Sequence, residues 1–539
     1  MSKLELWGGP ECTVNRVGPS FRDQMHESGH DARISDLDLF AELGIAAIRY
    51  PVLWEHVAPE RPDACDWRWA DARLGRLREL GIRPIVGLVH HGSGPRYTNL
   101  LADDFATGLA NHARRLAERH PWIDAWTPVN EPLTTARFSA LYGHWYPHKR
   151  DEPSFWLALL NQIDGVRLSM AAVRRFNPHA QLIHADDLGR TFATAAMRDQ
   201  AAFDNVRRWM GWDLLCGRVV PGHCLWMRLC GFGFEERLRA IADAPCPPDI
   251  IGVNHYLTSD RFLDHRVRRY PEQDRATNGR STFSDTEAVR VLDPPPPGLR
   301  GVLREAWDRY GIPLAITEVH NGCTREEQMR WMAEAWHTAE DLAAEGVDVR
   351  AVTAWSLLGS FGWDTLLTAK GKYEAGVFDV STGEPVATAM VDLLKALPQG
   401  REPPPACKGE GWWRRPIRLL HHPIPRPARA RDRTIATPPI RAPLLVVRDA
   451  RIDRIAARCA HRDIAFEVIE GDSVQHDAAL AIDRHAPWAV LVSGHHGRSL
   501  EAACASRGIS VADVGPDCIG LDHLLDRLID AAGRPAPLA

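Results

Sequence analysis

The sequence predicts an α/β protein: a (β/α)8 TIM barrel over residues 1–400, then a small Rossmann-like α/β module over 444–539. Three observations carry this. Across the first 400 residues, eight short apolar segments alternate with amphipathic helical patterns. Four of those patterns run into the next segment through one glycine-led turn: Leu43-Gly44-Ile45, Leu80-Gly81-Ile82, Tyr310-Gly311-Ile312 and Glu345-Gly346-Val347. Glycine takes the left-handed conformation past a helix end at little cost, so one repeated device marks one repeated unit. Finally, residues 398–443 hold 11 prolines, with ten Arg or Lys against three acidic residues. That composition reads as a semi-rigid linker, placed at 401–443.

The expected barrel strands are Leu4–Gly8, Ala46–Pro51, Pro84–Val89, Ala125–Asn130, Gln181–Asp186, Asp249–Tyr256, Pro313–Glu318 and Val349–Leu357. Each is an apolar run of strand length bounded by turn residues. Helical periodicity falls between them, over Asp36–Leu43, Trp69–Leu80, Asp104–Arg119, Ser154–Arg175, Leu303–Tyr310, Arg325–Ala344 and Val386–Leu397. The stretches 187–248 and 257–297 exceed a minimal unit and read as loop insertions on the face where barrel enzymes contact substrate. In the linker, Trp412-Trp413 offers an apolar pair for docking, and the basic run reads as a solvated face. Beyond it, Leu444–Val447, Ala465–Ile469, Ala489–Ser493 and Ser510–Val514 alternate with helices, the pattern of a parallel sheet.

Composition excludes several classes. Lys+Arg 65 against Asp+Glu 70 gives −5, not the basic footprint of a nucleic-acid partner. No apolar run reaches the length of a membrane span, so no membrane partner is expected. The opening MSKLELWGGP lacks a secretory core, and the 11 cysteines include no C-x-x-C pair. A cytoplasmic location is therefore expected. Nineteen tryptophans supply flat apolar rings of the kind sugar-binding clefts use. Oligomeric state is not read from these features.

Two glutamates stand out by position. Glu131 closes the fourth strand in Trp126-Thr-Pro-Val-Asn-Glu-Pro132, and Glu318 closes the seventh in Pro313-Leu-Ala-Ile-Thr-Glu-Val319. One acidic residue ending a buried strand is usually a cap or an ion pair. Two of them, beside Asn130 and beside His320 and Asn321, point to catalysis. Glycosidic cleavage needs one carboxylic acid to protonate the leaving oxygen and one carboxylate to attack or to activate water.

With those residues in place the chain resembles family 1 glycoside hydrolases, through six ordered matches over about 1–400. Arg49-Tyr-Pro-Val-Leu-Trp54 followed by Pro59 looks like R-F-S-I-S-W…P, and Val86-Gly-Leu-Val-His90 like the strand ending in His. Trp126 to Pro132 matches W-x-T-x-N-E-P, and Asp249-Ile-Ile-Gly-Val-Asn254-His-Tyr256 matches D-F-L-G-I-N-Y-Y. Ile316-Thr-Glu318 with Asn321-Gly322 looks like I-T-E-N-G with two inserted residues, and Ala354-Trp355-Ser-Leu-Leu358 carries W-S-L-L. The resemblance implies a retaining β-glycosidase, a hydrolase or transglycosylase, acting on a carbohydrate or glycoside without metal or organic cofactor. It implies Glu131 as acid/base and Glu318 as nucleophile. Arg49 and Tyr256 would hold the nucleophile ionised, and Asn130 would meet the sugar 2-hydroxyl. His90, Trp355 and Asn254 would line the sugar site. Sugar specificity does not carry over. Where the family has a glutamine after its first strand, this chain has Gly8-Gly9-Pro10-Glu11, and D-N-F-E-W becomes Gly359-Ser-Phe-Gly362-Trp363. Either Glu11, Asn15 or Asp364 takes over hydroxyl binding, with Trp363 beside them, or the sugar lacks or modifies its 4- or 6-position, and Glu11 reads equally well as a strand-end charge.

Residues 443–495 resemble the start of dTDP-4-dehydrorhamnose reductases, through Pro443-Leu-Leu-Val-Val447 and Arg484-His-Ala-Pro-Trp-Ala-Val490. The stretch Arg448-Asp-Ala-Arg-Ile-Asp453 has no glycine where a dinucleotide fingerprint would follow, and 444–539 contain no Tyr. A degenerate, non-redox module is expected. Two alternatives stay open beside the glycosidase: a sugar-nucleotide oxidoreductase of the reductase type, and a non-catalytic carbohydrate-binding barrel.

Overall fold

The computed structural model describes residues 3–426, 442–448, 451–471, 478–492, 498–514 and 520–532. Eight parallel strands close into a barrel: β1 (Glu5–Gly9), β2 (Ala47–Pro51), β3 (Arg83–His90), β4 (Ala125–Asn130), β5 (Gln181–Asp187), β6 (Ile250–Asn254), β7 (Leu314–Val319) and β8 (Val349–Trp355). Closure is between β1 and β8, in register from Glu5↔Ala351 to Gly9↔Trp355. The helices outside are α1 (Asp36–Ala41), α2 (Arg68–Glu79), α3 (Phe105–Arg119), α4 (Glu152–Val173), α5 (Glu235–Asp243), α6 (Gly298–Tyr310), α7 (Arg325–Ala344) and α8 (Ala389–Ala396). Gly44, Gly81, Gly311 and Gly346 all adopt positive φ, as the glycine-led turns require.

One side chain from each strand forms a layer across the barrel interior: Trp7, Ala47, Ile85, Ala125, Ile183, Ile250, Ala315 and Ala351. The bulky Trp7 is accommodated by four alanines, which fills the interior as a packed plug. The two glutamates and their partners sit beyond this layer, toward the strand C-termini, while Glu5 and Arg83 close its other side, Glu5 accepting from Trp7 Nε1 at 2.7 Å.

The two long insertions are built, not loose. Residues 187–248 contribute the helices Arg198–Arg207, Met210–Leu215 and Trp226–Cys230 before α5. The strands Arg261–Asp264, Arg275–Thr277 and Thr282–Glu287 join Thr191–Ala193 in a separate four-stranded sheet. At the end of the barrel the expected Val386–Leu397 helix starts later. Val386–Ala387 pairs antiparallel with Phe378–Asp379, and the Thr388 side chain caps α8 by accepting from the Met390 N–H.

Of the stretch read as a linker, residues 401–426 lie on the barrel. Trp413 is buried edge-on against Trp331 of α7, and its Nε1 donates to Glu334 at 2.8 Å. Ile424–Pro425 pairs with Leu292–Asp293. Residues 427–441 lie outside the described residues. The C-terminal module is a separate parallel sheet of β9 (Leu444–Val447), β10 (Phe466–Ile469), β11 (Ala489–Val492) and β12 (Ser510–Asp513), ordered β10-β9-β11-β12. It carries α9 (Ile452–His461), α10 (Ala478–His485), α11 (Arg498–Ala505) and α12 (Leu521–Ala531). Asp449 and Ala450, in the stretch that lacks the fingerprint glycines, lie outside the described residues. Leu444, Val446, Ile455 and Leu525 share one apolar cluster with Met329 and Trp336 of α7, so the module and barrel have a continuous core. Among the described residues no helix is long and apolar enough to cross a membrane.

Candidate active site

The C-terminal ends of the strands open into a cleft of ≈ 1690 Å³. Glu131 follows β4 in a left-handed conformation, φ 45°, and starts the short helix Pro132–Ala136. Its N–H is tied to the Ala185 carbonyl of β5 at 3.0 Å. Glu318 is the fifth residue of β7. Both carboxyl groups are almost fully buried and both line the cleft.

The partners of the two acids differ. Arg49 Nη1 donates to Glu318 Oε1 at 2.8 Å and to the Thr317 carbonyl at 2.8 Å. The Tyr256 hydroxyl donates to Glu318 Oε2. Among the described residues the Glu131 carboxyl has no such cation. It accepts one bond, from Asn254 Nδ2 at 2.6 Å, while Asn254 Oδ1 accepts from the Thr317 hydroxyl at 2.6 Å.

Electrostatics follow. Burial pushes Glu131 well above the usual carboxylate range, and the charge of Glu318 adds to that. Burial also raises Glu318, but Arg49 and the Tyr256 hydroxyl pull it back. Glu318 therefore ionises first while Glu131 keeps its proton, the division of labour an acid and a nucleophile require. Burial and both carboxylates hold the Tyr256 hydroxyl protonated as a donor.

The other expected residues divide into two sets. Glu11, Tyr256, Trp355 and Trp363 line the cleft with the two acids. Arg49, Asn130, His90 and Asn254 stand behind it. Asn130 is fully engaged there: its Oδ1 accepts from Arg49 Nη2 at 2.6 Å and its Nδ2 donates to His90 Nε2 at 3.1 Å. His90 stacks on Trp355, centroids 5.4 Å apart, and burial keeps it neutral. Asn15 is buried with neither amide atom partnered. Asp364 lines the cleft and accepts from the Lys372 N–H at 2.9 Å.

Sequence reasoning missed His91, which lines the cleft where His90 does not. Its Nε2 lies 4.0 Å from Glu131 Oε2, and its ring sits 5.4 Å from both Trp145 and Trp363. Burial pushes it down to about 3. The His90-His91 doublet was the available signal. Gly362 has a structural reason. Any Cβ there would lie 2.1 Å from Arg22 Nη1, and the residue has φ 73°, so the arginine occupies the space an acidic side chain would need. Among the described residues no cluster of His, Cys, Asp or Glu is arranged to hold a metal ion.

Known proteins share the family and fold of this chain. The family model described as Glycosyl hydrolase family 1 matches residues 22–373, more than half of the chain. A bifunctional beta-D-glucosidase/beta-D-fucosidase of Bifidobacterium breve is 26% identical over 377 residues, covering 61% of this chain and 78% of the relative. Klotho of Macaca fascicularis is 24% identical over 384 residues, covering 66% of this chain. The chain spans about a third (35%) of that relative's length. A beta-glucosidase from Thermotoga maritima in complex with deoxynojirimycin shares the fold, with TM-score 0.56, 17% identity, and coverage of 74% of this chain and 98% of that one.

Proposed function

The chain belongs to glycosyl hydrolase family 1, and from that premise we propose that it is a retaining β-glycosidase cleaving O-glycosidic bonds by double displacement. The observation that carries the proposal is the unequal treatment of two buried glutamates on one cleft. Glu318 has a cation and a hydroxyl donor, and Glu131 has an amide alone.

In the first step Glu318 attacks the anomeric carbon while Glu131 gives its proton to the departing oxygen. In the second, Glu131 takes a proton from water, which displaces Glu318 from the sugar. Two inversions leave the configuration unchanged. Arg49 and Tyr256 orient the Glu318 carboxylate and spread its charge, so it is both ionised and aimed. Trp355 and Trp363 offer ring faces to the sugar. The names of relatives, beta-glucosidase and beta-D-fucosidase among them, support hexose β-glycosides as the starting panel. A non-catalytic barrel has no need of both acids, and the two environments favour catalysis.

The test uses dinitrophenyl β-glycosides. Glu318→Ala removes turnover for every leaving group, by about four orders of magnitude or more, and azide restores some rate with inverted product. Glu131→Ala gives a phenol burst and a slow steady state, relieved by azide with retained configuration. Wild-type-like activity in both variants on a turned-over substrate overturns the assignment.

A further inference from the structure

Glu11 is 4% exposed, lines the cleft with the two catalytic acids, and has no cationic partner among the described residues. Three neutral donors converge on it. Oε1 accepts from the Thr13 N–H at 2.9 Å and the Thr13 hydroxyl at 2.6 Å, and Oε2 accepts from Trp363 Nε1 at 3.1 Å. All three are donors, so both oxygens of the Glu11 side chain act as acceptors. Oε1 has both lone pairs in use, whereas Oε2 keeps one.

Among the groups around the two acids the balance closes without it, whereas on the cleft wall Asp364 also meets no cation among the described residues. Glu318 is neutralised by Arg49. Burial and the charge of Glu318 push Glu131 toward its protonated form, and burial pushes His91 and His90 toward their neutral forms. Beside the two acids, the charge of Glu11 is the one left over. A buried charge without a counterion is costly, and proteins normally pair it. A sugar hydroxyl would fill the spare lone pair of Oε2 but leave the charge unmatched. A protonated amine would do both.

We infer that the sugar held next to the nucleophile carries a free amino group, whose ammonium pairs with Glu11. The preferred substrate class is then the β-glycoside of an amino sugar. This rests on the glycosidase reading for the reaction, but the binding step can be tested without it.

The probes are methyl 1-thio-β-D-glucoside, which resists cleavage, and its 2-, 3-, 4- and 6-amino-deoxy forms, each also as the N-acetyl derivative. Affinity is measured by calorimetric titration at near-neutral pH. The expected result is one free-amine isomer binding about ten- to hundredfold tighter than both its N-acetyl form and the parent, the range of a bond between charged groups. Glu11→Gln, which keeps shape and an acceptor but loses the charge, brings the three within about twofold of each other. Glu11→Asp keeps a charge and retains part of the preference. If no free-amine isomer exceeds the others by more than about twofold in the wild type, or if its advantage survives in Glu11→Gln, the inference is wrong. The wild-type panel alone decides if the variants do not fold. A parallel assay on dinitrophenyl glycosides separates the two readings. Cleavage of neutral sugars with no amine advantage removes this inference and leaves the glycosidase. An amine advantage in binding with no cleavage of any substrate removes the glycosidase and leaves the pairing.

Discussion

Glu131 and Glu318 are the same amino acid, and burial raises both. What separates them is a handful of atoms contributed by other strands. The sign of each contribution gives a pH prediction. The Tyr256 hydroxyl favours the ionised form of Glu318. Tyr256→Phe removes that donor, Glu318 holds its proton to higher pH, and the acidic limb of the kcat/KM profile moves up. Asn254 donates to Glu131 and pulls it down. Asn254→Ala lets Glu131 keep its proton longer, so the basic limb moves up while the acidic limb stays. Each variant loses about ten- to hundredfold in kcat/KM, the range for a bond to a charged group. Opposite limb movements in a pH–rate series would refute the assignment of roles. At this scale the acids were legible because each ends an apolar run. Their partners were reached through motif likeness, since Arg49 and Glu318 are 269 residues apart and meet only when the barrel closes. His91 was legible only as half of the His90-His91 doublet, not as the member that enters the cleft. It enters the cleft from a left-handed turn, φ 56°, just past β3, where strand alternation no longer says which way a side chain points.

At the scale of elements, the loop after β3 is held by a buried acid. Glu55 belongs to the one-turn helix Trp54–Val57 after β2, and its Oε1 accepts from the Gly94 N–H at 3.0 Å. Its Oε2 is buried with no partner, and burial pushes the group up to about 7. A carboxyl whose folded value is raised binds its proton more tightly in the folded chain. Its contribution is full below the ordinary carboxylate range and is lost as pH rises through about 7. Glu55→Gln keeps an acceptor for Gly94 and does not titrate. Relative to wild type it gains stability with rising pH, by up to about 3 kcal/mol above neutrality. Calorimetric melting at about pH 5 and about pH 8 reads this, and a difference that is flat or reversed with pH counts against it. The barrel strands themselves were readable because a strand buried on both faces is a continuous apolar run. The inserted sheet was read as loops for the converse reason. Its strands are three to six residues long, and one of them ends in a buried charge. That residue, Asp264, is fully buried but paired with Arg266 and Tyr270.

At the scale of the whole molecule, the separate sheets of barrel and module share one core and one buried ionic network. The network centres on the start of α7, the helix that follows the strand carrying Glu318. Arg462 is 1% exposed on its side chain and binds Glu326, whose side chain is 0% exposed. Arg462 also reaches the Asp522 carbonyl and Asp526 of α12. Arg330 of α7 donates to the carbonyls of Arg462 and Asp463, and Arg325 pairs with Asp530. Arg415 bridges Glu327 and the His461 carbonyl, which ties the stretch before residue 427 into the same knot. A tethered module would melt by itself. This arrangement predicts one cooperative transition for both parts, because unfolding the module strands Glu326 without its cation Arg462 under the barrel's own helix. Arg462→Ala leaves the Glu326 charge buried and unmatched, and costs about 3–5 kcal/mol. The double variant Arg462→Met/Glu326→Leu removes both charges together and recovers most of that loss, since a buried pair is worth little against apolar residues of similar volume. Activity of Arg462→Ala on a dinitrophenyl glycoside is lost at the same temperature as its tertiary structure and not before. Two resolved calorimetric transitions in the wild type, the lower abolished by deleting residues 427–539, would show instead that the barrel stands without its C-terminal partner.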